Sequence, residues 1–105
     1  MNIPVFIGLA MARANAIQSG AAPDGPPTDV VLSYYAGTKR RLDWTSGDDL
    51  AASRVYYKVG GVYTFIRQEA AGVTSSETGD TTHDVFGVSH YKNGQESAKT
   101  DSAEL

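Results

Sequence analysis

The chain has 105 residues, a formal net charge of −3 and no cysteine. A chain of that size folds as one domain around one core, leaving little stability to divert into strained, water-excluding catalytic architecture. The acidic balance argues against an electrostatic grip on nucleic acid, which needs a concentrated Lys/Arg face, and the missing cysteines exclude disulfide scaffolds, zinc–thiolate sites and thiol nucleophiles.

Ile3 to Ala12 is apolar on every side and falls well short of the ~20 residues needed to span a hydrocarbon core. An apolar segment with no polar face has to be buried against something. Residues 1–20 are therefore expected to form a docking arm, with Ile3, Val5, Phe6, Ile7, Leu9 and Met11 seated on a partner or a neighbouring copy. Packing of the arm on its own domain is a second reading. The third is a secretory signal: Ala14-Asn15-Ala16 has the small-x-small cleavage pattern, although Lys and Arg are missing before the apolar run and Arg13 falls between that run and the cleavage point. Residues 21–27, part of the Pro/Gly-rich stretch from Gly20 to Pro27, are expected to link the arm to a domain over 28–102, followed by a tail at 103–105.

From Pro26 onward the pattern has period two, with turn signals between short runs, as an all-β sandwich requires. Val30, Leu32 and Tyr34 alternate first, then Leu42 and Trp44, then Val55 and Tyr57 before Gly60-Gly61. Val62 to Arg67, Val73 to Glu77 and His83 to Tyr91 follow. Asn93-Gly94 suits a tight hairpin turn because both residues tolerate positive φ, and Glu96 to Asp101 closes the domain. The pattern predicts about seven strands with Leu42, Trp44, Val55, Tyr57 and Val85 in one core. Lys39-Arg40-Arg41, the one basic run, is expected at a solvated strand edge, with Arg40 laying its stem across an apolar row and sending its head to water.

No chemistry-bearing constellation emerges. His83 and His90, seven apart in one extended run, face opposite sides and do not converge on a metal; His83 is expected packed at a corner with one nitrogen bonded, His90 solvated at the rim. Asp43, Asp48 and Asp49 lack the alternate-position acids of a calcium loop and are expected in a solvated turn. Ser75-Ser76 has no partnered histidine, and Gly60-Gly61 is too short for a phosphate cradle. No catalytic residue, metal ligand or cofactor is expected. The tyrosines are numerous, and alternation leaves Tyr56, Tyr63 and Tyr91 as a candidate exposed binding face. Cross-strand packing with Lys and Arg stems is the blander account of them.

Residues 26–102 resemble the fibronectin type III family. Pro26-Pro27-Thr28-Asp29-Val30 matches its opening strand, and Leu42-Asp43-Trp44-Thr45 looks like its second-strand tryptophan. Ser53-Arg54-Val55-Tyr56-Tyr57-Lys58 is similar to the third strand, and His83-Asp84-Val85-Phe86-Gly87-Val88-Ser89 followed by Asn93-Gly94-Gln95-Glu96-Ser97 is similar to the sixth strand and its loop. The resemblance implies a Greek-key sandwich. It also marks departures: Arg40 stands where the family usually has an inward apolar residue, His83 where it has the corner tyrosine, and Gly87 and Ser89 would thin the core side of the sixth strand.

Such a fold serves as adhesive, spacer or decoration. A single module behind an apolar arm that starts at Met1 looks like the small virion proteins of tailed bacteriophages. The expected function is thus a non-enzymatic structural component of a virion: a capsid decoration, collar or tail protein. Its expected partners are other virion proteins or neighbouring copies, without nucleic acid or a membrane span. The alternative is a secreted bacterial adhesion or carbohydrate-associated module whose first 16 residues are a signal peptide and whose tyrosine face makes weak glycan or cell-surface contacts.

Overall fold

A computed structural model describes residues 20–105. The expected arm residues Ile3, Val5, Phe6, Ile7, Leu9 and Met11 lie outside the described residues. Eight strands run in chain order among those described: β1 (Thr28–Tyr35), β2 (Lys39–Thr45), β3 (Ala52–Val59), β4 (Val62–Glu69), β5 (Ser75–Glu77), β6 (Phe86–Lys92), β7 (Gln95–Glu96) and β8 (Thr100–Asp101). One sheet has the order β1-β2-β5; the other has the order β4-β3-β6-β7, with β8 also pairing β6. Every pairing is antiparallel. The chain crosses between sheets after β2, β4 and β5, which gives the expected all-β sandwich.

Two hairpins fix the register of the larger sheet. Gly60 and Gly61, at φ 57° and 81°, join β3 to β4, and Asn93 and Gly94, at φ 53° and 76°, join β6 to β7. Positive φ at both central residues matches the right-handed twist of the flanking strands.

The inner rows of the two sheets bury Val30, Leu32, Leu42, Trp44, Val55, Phe86 and Val88, with Tyr57 and Ile66 packed against them. The expected core therefore holds for Leu42, Trp44, Val55 and Tyr57, but not for Val85, which is only half-buried. Directly opposed residues of an antiparallel pair share a face. Val55 opposes Val88 and Tyr57 opposes Phe86, so Phe86, Val88 and His90 point inward. Gly87 and Ser89 fall on the outer face, and the core is not thinned at these two positions.

That one-residue change of parity also corrects His90. It is not at a solvated rim but buried, because the inward row of β6 carries it beneath the loop after β2. Its Nε2 accepts the Gly47 N–H at 3.0 Å, so the ring proton belongs on Nδ1, which lies 3.2 Å from Ser53 Oγ and 3.3 Å from Ala52 O.

Arg40 is a second correction. It lies on the inward row of β2 with Leu42 and Trp44, and its head is not in water: only 6% of the residue is exposed. The guanidinium donates to Asp84 Oδ1 at 2.9 Å, to the His83 carbonyl at 2.9 Å and to the Thr38 carbonyl at 2.5 Å, and lies over the Tyr34 ring. The five-donor fork suits an inward position because three separate acceptors converge on it. His83 packs at the corner as expected: its ring stacks on Tyr57 at 3.7 Å, and its Nδ1 lies 2.6 Å from Asp80 Oδ2.

Asp48 is a third correction. It belongs to no solvated turn but is buried, accepting from Lys92 Nζ at 3.0 Å, the Leu50 N–H at 2.9 Å and the Asp24 N–H at 3.0 Å. The Lys92 hydrogen bond, reinforced by the two backbone donors, pulls its carboxyl down to about 2.

The Asp48 contacts belong to a clamp on the segment expected as a linker. Pro27 is fully buried, and its carbonyl accepts from Thr100 Oγ1 at 2.5 Å. Asn93 Nδ2 donates to the Ala21 carbonyl at 2.8 Å. A side chain on Gly47 would meet the Pro26 carbonyl at 2.3 Å, so the loop and the incoming chain pass within backbone contact. Residues 20–27 are thus fastened along one pole of the sandwich, beside the β6–β7 turn.

Candidate binding face

Alternation along the larger sheet decides which side chains face outward. On β3 these are Arg54, Tyr56 and Lys58; on β6 they are Gly87, Ser89 and Tyr91. Tyr63 and Phe65 of β4 lie opposite Lys58 and Tyr56 in the register, while Glu96 of β7 opposes Tyr91 and Asp101 of β8 opposes Gly87. The sheet therefore brings Tyr56, Tyr63 and Tyr91 to one face, but not as the exposed row expected: Tyr56 is buried beneath Tyr63, Phe65, Glu96 and Lys99, and the other two are half-buried. Alternation from the tyrosines could have found Arg54, Lys58 and Phe65; the partners Glu96, Lys99 and Asp101 come from chain order too distant for pattern to align.

Two carboxylates organise this face. Glu96 Oε2 accepts from the Tyr56 hydroxyl and from Ser89 Oγ, each at 2.5 Å, and Lys99 Nζ stands 3.6 Å away. Asp101 accepts from Tyr63 at 2.6 Å and from Lys58 at 2.6 Å. Burial acts to raise the Glu96 carboxyl, but the Ser89 and Tyr56 donors with Lys99 and Arg54 outweigh it and hold the group below its usual range. Burial opposes ionisation of Asp101 too, and the Lys58 and Tyr63 bonds overcome it. Burial and the Glu96 bond push the Tyr56 phenol up, and the Asp101 bond does the same for Tyr63, so both hydroxyls stay protonated as donors.

The rings pack edge to face, Tyr56 against Tyr63 at 6.0 Å and against Phe65 at 5.7 Å, as the aromatic quadrupole favours. Cations cover their faces: Arg54 lies 3.6 Å over Tyr91, and Lys99 lies 4.6 Å over Tyr56 and 5.1 Å over Tyr63. A sugar ring stacking on the cation-covered face of any of these tyrosines has to displace that cation first. Phe65, with Arg54 5.8 Å over its ring, keeps half its surface in water and offers this face an apolar contact.

The Ser53–His90 pair has the residue types of a nucleophile and base, but both are sealed from solvent. His90 Nε2 is occupied by the Gly47 N–H and Nδ1 carries the proton, so neither nitrogen is placed to take one from Ser53. Among the described residues, no three His, Cys, Asp or Glu side chains cluster to hold a metal ion, and no helix is long and apolar enough to cross a membrane.

No protein-family model matches the chain, and no curated protein does. Solved structures do. The crystal structure of FN3tt superposes with a TM-score of 0.65 at 14% identity, covering 79% of this chain and 92% of that one. The fold is of the fibronectin type III kind. An Fn3-like protein from Clostridium thermocellum is similar at a TM-score of 0.58 and 24% identity, covering 76% of this chain and 90% of its own. At these identities the likeness to the fibronectin type III sandwich is one of fold.

Proposed function

We propose that this protein is a non-enzymatic structural component of a tailed-bacteriophage virion, attached through residues 1–20 and presenting the sandwich outward as a capsid decoration, collar or tail element. The observation that carries the reading is the clamp on residues 20–27. Asn93, Asp48, Gly47 and Thr100 fasten the incoming chain to one pole through backbone contacts and hydrogen bonds. A segment held in this way transmits force from an attached arm into β2, β3 and β6 instead of swivelling as a free tether. The outer face supports the same reading, because the Tyr56 and Tyr63 hydroxyls are bonded to Glu96 and Asp101 and a cation lies over each of the Tyr56, Tyr63 and Tyr91 rings.

Mass spectrometry of the protein isolated from its native source tests this. The expected result is co-purification with virion proteins and an intact mass that retains the arm, with or without Met1. Loss of residues 1–16 from protein found in the medium would replace the proposal with a secreted adhesion or carbohydrate-associated module.

A further inference from the structure

We propose that Asn93 is a self-acting modification site, converted by the backbone nitrogen of Gly94 to aspartate or isoaspartate, and that its conversion unfastens Gly20 and Ala21 from the sandwich. Asn93 is exposed at the tip of the β6–β7 hairpin. Gly94 offers no Cβ, and nothing lies within 4 Å of where one would stand, so no side chain hinders attack when the two-residue tip opens.

In the reaction, the Gly94 nitrogen bonds to Asn93 Cγ and gives up its proton, the Cγ–Nδ2 bond breaks, and the amide nitrogen leaves as ammonia. Water then opens the succinimide. Addition at the side-chain carbonyl gives aspartate in the normal backbone; addition at the main-chain carbonyl gives isoaspartate, with the chain rerouted through the side chain. No oxidant or cofactor enters, and base promotes the step by removing the proton from the attacking nitrogen.

The consequence follows from what the carboxamide holds. Asn93 Nδ2 donates to the Ala21 carbonyl at 2.8 Å. A Cβ on Gly20 would lie 2.8 Å from Asn93 Cγ and 2.9 Å from Nδ2, so the carboxamide packs closely against the Gly20 backbone. Conversion replaces the donor with a carboxylate oxygen facing a carbonyl, two acceptors with nothing to share. Isoaspartate also lengthens a turn that fits only two residues. Gln95 Nε2, 3.4 Å from the Gly20 carbonyl, is then the nearby side-chain donor left to this segment.

Purified full-length protein held in mildly alkaline buffer and followed by peptide mapping tests the chemistry. Asn2 and Asn15, followed by Ile3 and Ala16, serve as comparators in the same chain. Asn93 is expected to gain one mass unit ahead of both, with isoaspartate among the products. Backbone order parameters from NMR test the release. They should fall over Gly20–Ala22 in Asn93→Asp and equally in Asn93→Gly, which keeps the turn but has no amide to lose. Conversion of Asn2 or Asn15 while Asn93 stays intact would overturn the modification. Order parameters unchanged in both variants would overturn the release.

Discussion

Arg40 occupies an inward position because three acceptors meet it there, two of them main-chain carbonyls. Replacing it leaves the His83 and Thr38 carbonyls without this donor inside the fold, while Asp84, half exposed, returns to water. Hydrogen bonds to a charged donor contribute ~1.5–3 kcal/mol each, so Arg40→Leu should lower stability by about 2–3 kcal/mol even though it adds apolar surface. Urea unfolding at neutral pH checks this, and a neutral or stabilising outcome would mean the head reaches solvent after all. Asp48 makes a different prediction, through pH. Its carboxyl ionises at about 2 in the fold against an ordinary 3.8, so the unfolded chain takes up the proton first as pH falls. The contribution of Asp48 is fully present above about pH 4 and fades as pH falls toward 2. Unfolding curves of the wild type and Asp48→Asn, measured from pH 5 to 2, should converge in that window; a constant gap would contradict the assignment.

At the scale of the strand, β6 shows how parity decides everything downstream. Its outward row places Gly87 where a Cβ would lie 2.6 Å from Tyr63 Cε1 and 3.1 Å from Asp101 Oδ1. Glycine in a strand interior is usually weakening; here its missing side chain makes room for the Tyr63 ring. Gly87→Ala should lift that ring off the sheet and cost about 1–2 kcal/mol, in the range of overpacking. In a Tyr63→Ala background most of that cost should disappear, leaving only the contact with Asp101 Oδ1, and an undiminished penalty there would show that the ring is not the obstacle. Sequence pattern read the strands, both tight turns and most of the core, because those signals are local. It missed the phase of β6, since Val85, Phe86 and Val88 leave either face readable as apolar. Pairing with β3 settles that phase, and with it the burial of His90 and the place of Gly87. Arg40 and Asp48 were misread for a related reason: a charged residue looks solvated until distant segments bring acceptors or donors to it, and Asp84, Lys92 and Asp24 are far from them in sequence. The tyrosine face was legible through alternation, but its carboxylate partners on β7 and β8 were not.

In the whole molecule, the fibronectin type III sandwich has its incoming chain bound along one pole, while the β3–β4 turn at Gly60-Gly61 points to the other. The antiparallel register requires this: Ala52 opposes Tyr91 near the clamp, and Tyr57 opposes Phe86 near the far end. An assembly that grips residues 1–20 would therefore present the far turn, with the exposed Val59 and Val62 beside it, away from the point of attachment. Burying six large apolar side chains of the arm yields on the order of 10 kcal/mol before ordering costs. Ordering a backbone costs about 1–2 kcal/mol per residue, so the attachment proposed here would call for many copies acting together. Deletion of residues 2–18, followed by quantification of the protein in purified particles, tests the central claim most directly. The shortened chain should fold to a monomeric sandwich, its clamp at residues 20–27 intact, and be missing from the particles. Incorporation at normal occupancy would place attachment on the sandwich, and failure to fold would make the arm part of the core.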